Sequence, residues 1–213
     1  MYREIDFEKW ERRTTFEFFK DYKDPFFNMA ANLDVTRLYR FCKDSDLPFS
    51  VAVLYFSIKT ANEIREFRLR MVGDKVVEFD RIEATQTILN DDNTFSFCYF
   101  PMRDSLNEFV EIGLASREKY GALRSFDVEN ERIDLIYYSV IPWVSFTSFK
   151  HANSGDHRQT VPRMVFGKMF QDGERRLMPF SVEVHHCLMD GYHVGQYFNR
   201  FQAHLIQFCN DQY

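Results

Sequence analysis

The residues with the most chemical potential form one run near the C-terminus, Val182-Glu183-Val184-His185-His186-Cys187-Leu188-Met189-Asp190-Gly191-Tyr192-His193. A β-branched apolar stretch stops at a pair of histidines, Asp-Gly follows after three residues, and an amphipathic segment begins directly afterwards. That order reads as a strand, a tight turn and a helix. Neutral imidazole is the commonest general base near pH 7, and a strand end followed by a bend is where clefts open. Neighbouring strand residues face opposite ways, so Val182, Val184 and His186 share one side while Glu183 and His185 share the other. Only one of the paired histidines can enter a given cleft, and His186 is the candidate base. The competing reading is a satisfied core histidine. Asp190 caps the following helix, contacts His186, or does both.

Other chemistries fit less well. His185, His186, Asp190 and His193 are close in sequence, but strand alternation parts the first two and no His-Glu-x-x-His spacing occurs, so no metal is expected. Cys187 beside a histidine suggests a nucleophile, yet adjacent strand residues diverge and a small buried cysteine is the commoner outcome. Gly167, Gly173 and Gly195 form no phosphate-cradling loop. The net charge of -5 provides no global basic field for nucleic acid, so an anionic ligand needs local Lys or Arg. Cys42, Cys98, Cys187 and Cys209 are widely separated, and the N-terminus lacks the apolar core of a signal peptide. No apolar run approaches the roughly 18 residues that would span a bilayer. A soluble protein of the reducing cytoplasm, with no membrane partner, is expected.

The 213 residues suit one domain, 1–213, with a single large core, and 24 Phe against 8 Gly suit thick aromatic packing. Trp10, Phe16 and Phe19 at near-helical spacing predict a first helix over 8–22, ending near Pro25. A strand over 28–34 precedes a second helix to about Lys43, and a third, apolar on most of its surface, covers 49–64. Gly73-Asp74 separates Glu66 to Met71 from Lys75 to Phe79 as a hairpin. Strands follow near 82–88 and 94–100, then a helix from Asp104 to Tyr120 and a loop over 122–131. Leu135 to Phe149 reads as a strand interrupted by Pro142. Val161 to Phe170 and Arg176 to His186 pair across Gln171-Asp172-Gly173-Glu174, and the last helix covers 192–208. The order predicts an α+β or layered α/β fold, a mixed β-sheet flanked by helices.

Three ordered segments then carry a specific resemblance. His-His-Cys-Leu-Met-Asp-Gly-Tyr-His from His185 resembles the active-site signature of the chloramphenicol acetyltransferases, a trimeric family within the CoA-dependent acyltransferases that share His-x-x-x-Asp-Gly. Pro142-Trp143-Val144-Ser145-Phe146-Thr147-Ser148-Phe149 resembles the family's central strand. Trp10-Glu11-Arg12-Arg13 with Phe16-Glu17-Phe18-Phe19 resembles its N-terminal helix. The resemblance implies transfer of acetyl from acetyl-CoA to a hydroxyl of chloramphenicol or another small acceptor, in a homotrimer with interface active sites. It implies His186 as the base, Ser139 as the hydrogen-bond donor to the tetrahedral oxyanion, and an Asp190–Arg12 pair that holds the turn. Trp143 and Lys168 fall on the CoA channel, and Phe18, Phe19, Phe95 and Phe149 on the aromatic acceptor pocket. Each of these has a plain alternative as core or solvated surface.

The chain also departs from the family pattern. Glu183 stands where the signature has Gln, and Cys187 where it has a small Ser or Ala. Segment 150–159, with His151 and Asn153, is polar where drug-modifying members are more apolar. Val165 replaces a threonine that helps to place an active-site water. Chloramphenicol is therefore expected to be a poor substrate. Two alternatives stand beside this reading. One is a dihydrolipoamide-acyltransferase-like core, expected to carry lipoyl and binding modules that this chain lacks; the other is a non-catalytic trimer that binds an apolar ligand.

Overall fold

The computed structural model describes residues 1–123, 132–153, 155–156 and 159–208. Most of the expected 122–131 loop, and Cys209, lie outside the described residues. The main sheet has the order β2-β10-β8-β7-β5-β6, from β2 (Phe26–Asp34), β5 (Glu83–Leu89), β6 (Phe95–Phe100), β7 (Leu135–Ile141), β8 (Arg163–Gly167) and β10 (Arg175–His185). β7 runs parallel to both β5 and β8, and the other pairs are antiparallel, so the sheet is mixed. A short β9 (Phe170–Asp172) pairs with the start of β10, and a separate small sheet has the order β1-β4-β3, from β1 (Tyr2–Glu4), β3 (Leu69–Val72) and β4 (Lys75–Phe79).

The helices are α1 (Arg13–Phe19), α2 (Thr36–Asp44), α3 (Phe49–Asn62), α4 (Leu106–Leu123) and α5 (Gly191–Gln207). α3 is buried along nearly its whole length, as its all-round apolar sequence requires. It packs between the main sheet and α5, where the Ser57 hydroxyl lies 2.9 Å from that of Tyr138 on β7 and 2.5 Å from that of Tyr197 on α5. Phe180 of β10 meets Tyr197, Phe198 and Phe201 of α5. The opposite face of the sheet is covered by the chain between β7 and β8. Phe146 lies so close to Gly167 that an added Cβ there would fall 2.9 Å from its ring, which explains a glycine inside a strand.

Four expected elements differ. The helix expected over 8–22 is a short 3-10 turn at Phe7–Lys9 followed by α1, because Trp10 takes an extended conformation and is buried against Phe7 and Phe16. The strand expected from Leu135 to Phe149 stops at Ile141, since Pro142 has no N–H to continue the ladder. The strand expected from Val161 to Phe170 breaks at Lys168, whose N–H turns to the Val144 carbonyl, and β9 resumes beyond it. The two expected hairpins form, with Gly73 and Gly173 at φ 59° and 60° in their turns, but the first arm expected from Glu66 begins only at Leu69, since Arg65–Arg68 is a 3-10 turn. β1 has no sequence signal, being three exposed residues.

Arg70 joins the two sheets from a fully buried position. Its guanidinium donates to the carbonyls of Phe67, Leu69, Ile133 and Leu135 at 2.6–2.8 Å, and burial pulls its pKa down to about 9. Arg70→Met keeps the volume and leaves these carbonyls without that donor. The expected cost is at least about 3 kcal/mol, a fall in Tm on the order of 10 °C followed by circular dichroism.

Candidate active site at the end of β10

β10 carries the site because its neighbours fix its register over the whole length. Val184 lies opposite Phe27 and His185 opposite Phe26 on β2. The strand ends at His185, and the His186 N–H closes onto the Pro25 carbonyl at 2.8 Å. The alternation expected from the sequence holds. His185 packs edge-on against Phe26, with ring centroids 5.0 Å apart, while His186 lies 4.7 Å from Phe27 on the other face and stacks on Phe19 at 4.0 Å and 9°. His185 is buried, and its Nδ1 accepts the Cys187 N–H, which shapes the turn that aims His186.

In the His186 ring Nδ1 is enclosed and has no hydrogen-bond partner among the described residues, leaving Nε2 as the nitrogen open to an incoming ligand. Asp190 caps α5 and pairs with Arg12, and among the described residues its carboxylate makes no hydrogen bond to the His186 ring. One carboxylate oxygen accepts the Tyr192 N–H and caps α5, and the other lies 2.6 Å from Arg12 Nη1. Arg12 precedes α1 rather than lying within it, and its Nη2 also donates to the His186 carbonyl at 3.3 Å. Burial pushes the Asp190 carboxyl up, but the Arg12 hydrogen bond together with His193 outweighs it and holds the group below the ordinary carboxylate range. His193 Nδ1 accepts the Asp190 N–H, and Nε2 stands 3.6 Å from Glu66. Cys187 is fully buried, and burial raises its thiol to about 12, so it is no nucleophile.

A sequence model of the chloramphenicol acetyltransferases matches residues 1–202. The chain belongs to the chloramphenicol acetyltransferase family. It is 29% identical to chloramphenicol acetyltransferase 3 of Escherichia coli, over 99% of this chain and 98% of that one. It is 31% identical to the chloramphenicol acetyltransferase of Clostridium perfringens, over 93% and 92%. A solved chloramphenicol acetyltransferase structure superposes with a TM-score of 0.89 at 25% identity, covering 96% of this chain and 100% of that one. The cubic core of the pyruvate dehydrogenase multienzyme complex shares the fold, with a TM-score of 0.65 at 14% identity over 86% and 82%.

The residues that resemble the acetyltransferase site fall into two groups within the chain. Around His186 lie Arg12, Asp190 and Phe19, with Phe18 63% exposed beside Phe19. The second group sits on the opposite face, where Ser139 of β7 is level with Val165 of β8, and Val165 with Ser181 of β10. His186 is five residues beyond Ser181 and β10 is two strands from β7, so the backbones of His186 and Ser139 are about 19 Å apart. Phe149 and His151 belong to this second group, their rings 5.0 Å apart. Asn153 turns its side chain to the Gly155 N–H, capping its own loop. Phe95 is on β6, the edge strand, 43% exposed and roughly 19 Å from β10 across the sheet. Trp143 is 62% exposed, and Lys168 borders a cleft of about 330 Å³ lined by Phe49, Val140, Met169 and Arg176.

Sequence reasoning did not single out Phe27 beneath His186, or the contact of His193 with Glu66; both arise from pairing across distant segments. Asp190 yields a pH-dependent test. Its folded pKa lies below the unfolded value of about 3.9, so the ionised carboxylate stabilises the fold above that pH and ceases to as the pH falls through the folded value. Asp190→Asn is expected to unfold at lower urea than wild type at about pH 7, with the gap closing on acidification towards about pH 3.

Proposed function

We propose that the protein is a CoA-dependent O-acetyltransferase, taking acetyl from acetyl-CoA to a hydroxyl of chloramphenicol or a related small acceptor. It works as a cytoplasmic homotrimer with each active site between subunits. The observation that carries this reading is an outward-facing His186 Nε2 at the end of β10, in a chain whose family match spans nearly its whole length. Among the described residues no helix is long and apolar enough to cross a membrane.

His186 Nε2 accepts the proton of the acceptor hydroxyl as that oxygen attacks the thioester carbonyl carbon. The carbonyl becomes an oxyanion, to which the Ser139 hydroxyl donates. Collapse breaks the carbon–sulfur bond, and the departing thiolate takes the proton back from His186. Two groups about 19 Å apart on opposite faces of a sheet cannot serve one carbonyl, so Ser139 must come from a neighbouring copy. That requirement supports the oligomer. Arg12 and Asp190 hold the turn; Trp143 and Lys168 border the CoA channel. Phe18, Phe19, Phe149, Val165 and His151 surround the acceptor, Phe95 reaches it only from another copy, and Asn153 braces the loop that carries His151. The dihydrolipoamide-type reading has only a shared fold behind it, and a pure ligand binder has no use for an aligned base.

Thiol release from acetyl-CoA with chloramphenicol tests the reading. His186→Ala is expected to lower turnover by about 100- to 10000-fold, and Ser139→Ala by about 100- to 1000-fold. Trimers reassembled from a mixture of the two variants should regain part of the activity, because some interfaces then pair an intact His186 with an intact Ser139. Wild-type turnover in His186→Ala would overturn the proposal. The polar wall at His151 predicts a specificity constant for chloramphenicol below that of the Escherichia coli relative, since each unmatched polar group held against an apolar face costs about 1 to 3 kcal/mol; parallel assays of both enzymes check it.

A further inference from the structure

Asp190 links the N-terminal segment to the turn that carries His186, and a second carboxylate stands behind it. His193, in the first turn of α5, lies between the two. Its Nδ1 accepts the Asp190 N–H at 3.2 Å and stands 2.9 Å from Asp190 Oδ1, while its Nε2 stands 3.6 Å from Glu66 Oε1. The His193 and Glu66 side chains are both largely buried. Glu66 belongs to the 3-10 turn Arg65–Arg68, which is fixed on two sides. Phe67 packs its ring on Tyr197 of α5 with centroids 4.9 Å apart, and Arg65 donates at 3.0 Å both to Glu78 and to Glu11, the residue before Arg12. Three segments distant in sequence thus meet in one chain of contacts, from Glu66 through His193, Asp190 and Arg12 to the His186 carbonyl.

Either ring nitrogen of His193 has a carboxylate near it, and the backbone chooses between them. The Asp190 N–H can only donate, so Nδ1 must offer its lone pair, and the proton of the neutral ring belongs on Nε2, on the side of Glu66. With the proton on Nδ1 instead, the ring would give up the Asp190 N–H and bond Oδ1, the oxygen that accepts the Tyr192 N–H at 3.1 Å. Drawing that oxygen away turns the carboxylate and loosens the contact of Oδ2 with Arg12 Nη1. Arg12 also donates to the His186 carbonyl, so the aim of the base is tied to the tautomer of a second histidine further along the chain.

We propose that His193 is a positioning residue for the base: with its proton on Nε2 towards Glu66, it holds the Asp190 carboxylate onto Arg12 and, through Arg12, the turn that aims His186. Glu66 selects that tautomer. The effect on turnover rests on the acetyltransferase reading; the tautomer and its effect on the His186 ring do not.

Nitrogen-15 NMR of the histidine rings at about pH 8 should find the His193 proton on Nε2 in wild type and redistributed between the nitrogens in Glu66→Leu. His193→Leu should shift the His186 ring signals and lower kcat, measured as thiol release from acetyl-CoA with chloramphenicol, by on the order of 10- to 100-fold, with both KM values unchanged within about twofold. His193→Gln, which offers the Asp190 N–H a side-chain oxygen as in a capping box, should restore the wild-type His186 signals and most of kcat. A helix cap with no part in aiming the base would lose thermal stability in His193→Leu and keep kcat. That outcome overturns the proposal, as does a wild-type His193 protonated on Nδ1 or on both nitrogens. If His193→Leu does not fold, Glu66→Leu takes its place, and unchanged His186 signals and kcat in that variant overturn the proposal equally. Absence of thiol release with every acceptor sinks the acetyltransferase reading instead, and the His186 signals in the variants still decide whether His193 positions that ring.

Discussion

The whole site depends on the two-residue period of one buried strand. β10 is paired on both sides, so its register cannot slip without moving every apolar residue to the wrong face. That constraint gives the strand two independent surfaces. Phe180, Val182 and Val184 face the helical core, and the chain leaves the strand on that side with His186 against Phe27 and Phe19. Ser181, Glu183 and His185 face the other way, where Ser181 meets Asn28 of β2, Glu183 meets His151 in the chain between β7 and β8, and His185 meets Phe26. His186, the proposed base, and Glu183, three residues before it in sequence, are thereby kept on separate sides.

Charge is then used sparingly and with partners. Asp190 meets Arg12, and Glu183 meets Arg163. Among the described residues Arg70 donates to carbonyl oxygens, which satisfy its donors without neutralising it, and burial lowers its pKa. Removing one member of a buried pair strands the other, so each pair ties two distant segments tightly together even where its net contribution to stability is small. The Arg12 tie brings the N-terminal segment beneath the C-terminal turn. The Glu183 tie holds the connection between two parallel strands against the sheet. In both cases a loop that bears on chemistry is fixed by an interaction with a regular element.

The sequence by itself determined the elements with strong periodicity and punctuation. The apolar run of α3, the stripe of α5, the two Gly-containing hairpin turns and the strand-turn-helix order around His186 all follow from local residue patterns, and so does the separation of His185 from His186. The three matching segments pointed to the family before any contact was known. The roles proposed for Arg12 and Ser139 came only through that resemblance, because an arginine ahead of a helix and a serine in a strand have no local mark of function.

Tertiary structure decided the rest. The break at Trp10 and the end of β7 at Ile141 come from burial and from a missing N–H, which override helical and β propensity. The distance between His186 and Ser139 depends on strand order and register, which no local pattern encodes. His151 appeared in the sequence as a polar residue in a polar loop, and Asn153 as its companion. Packing separated them, turning Asn153 onto its own loop and bringing His151 to a buried carboxylate 32 residues away. The physical reason is that side-chain type is local, whereas the partner that fixes its tautomer, charge and direction is set by which strands lie side by side.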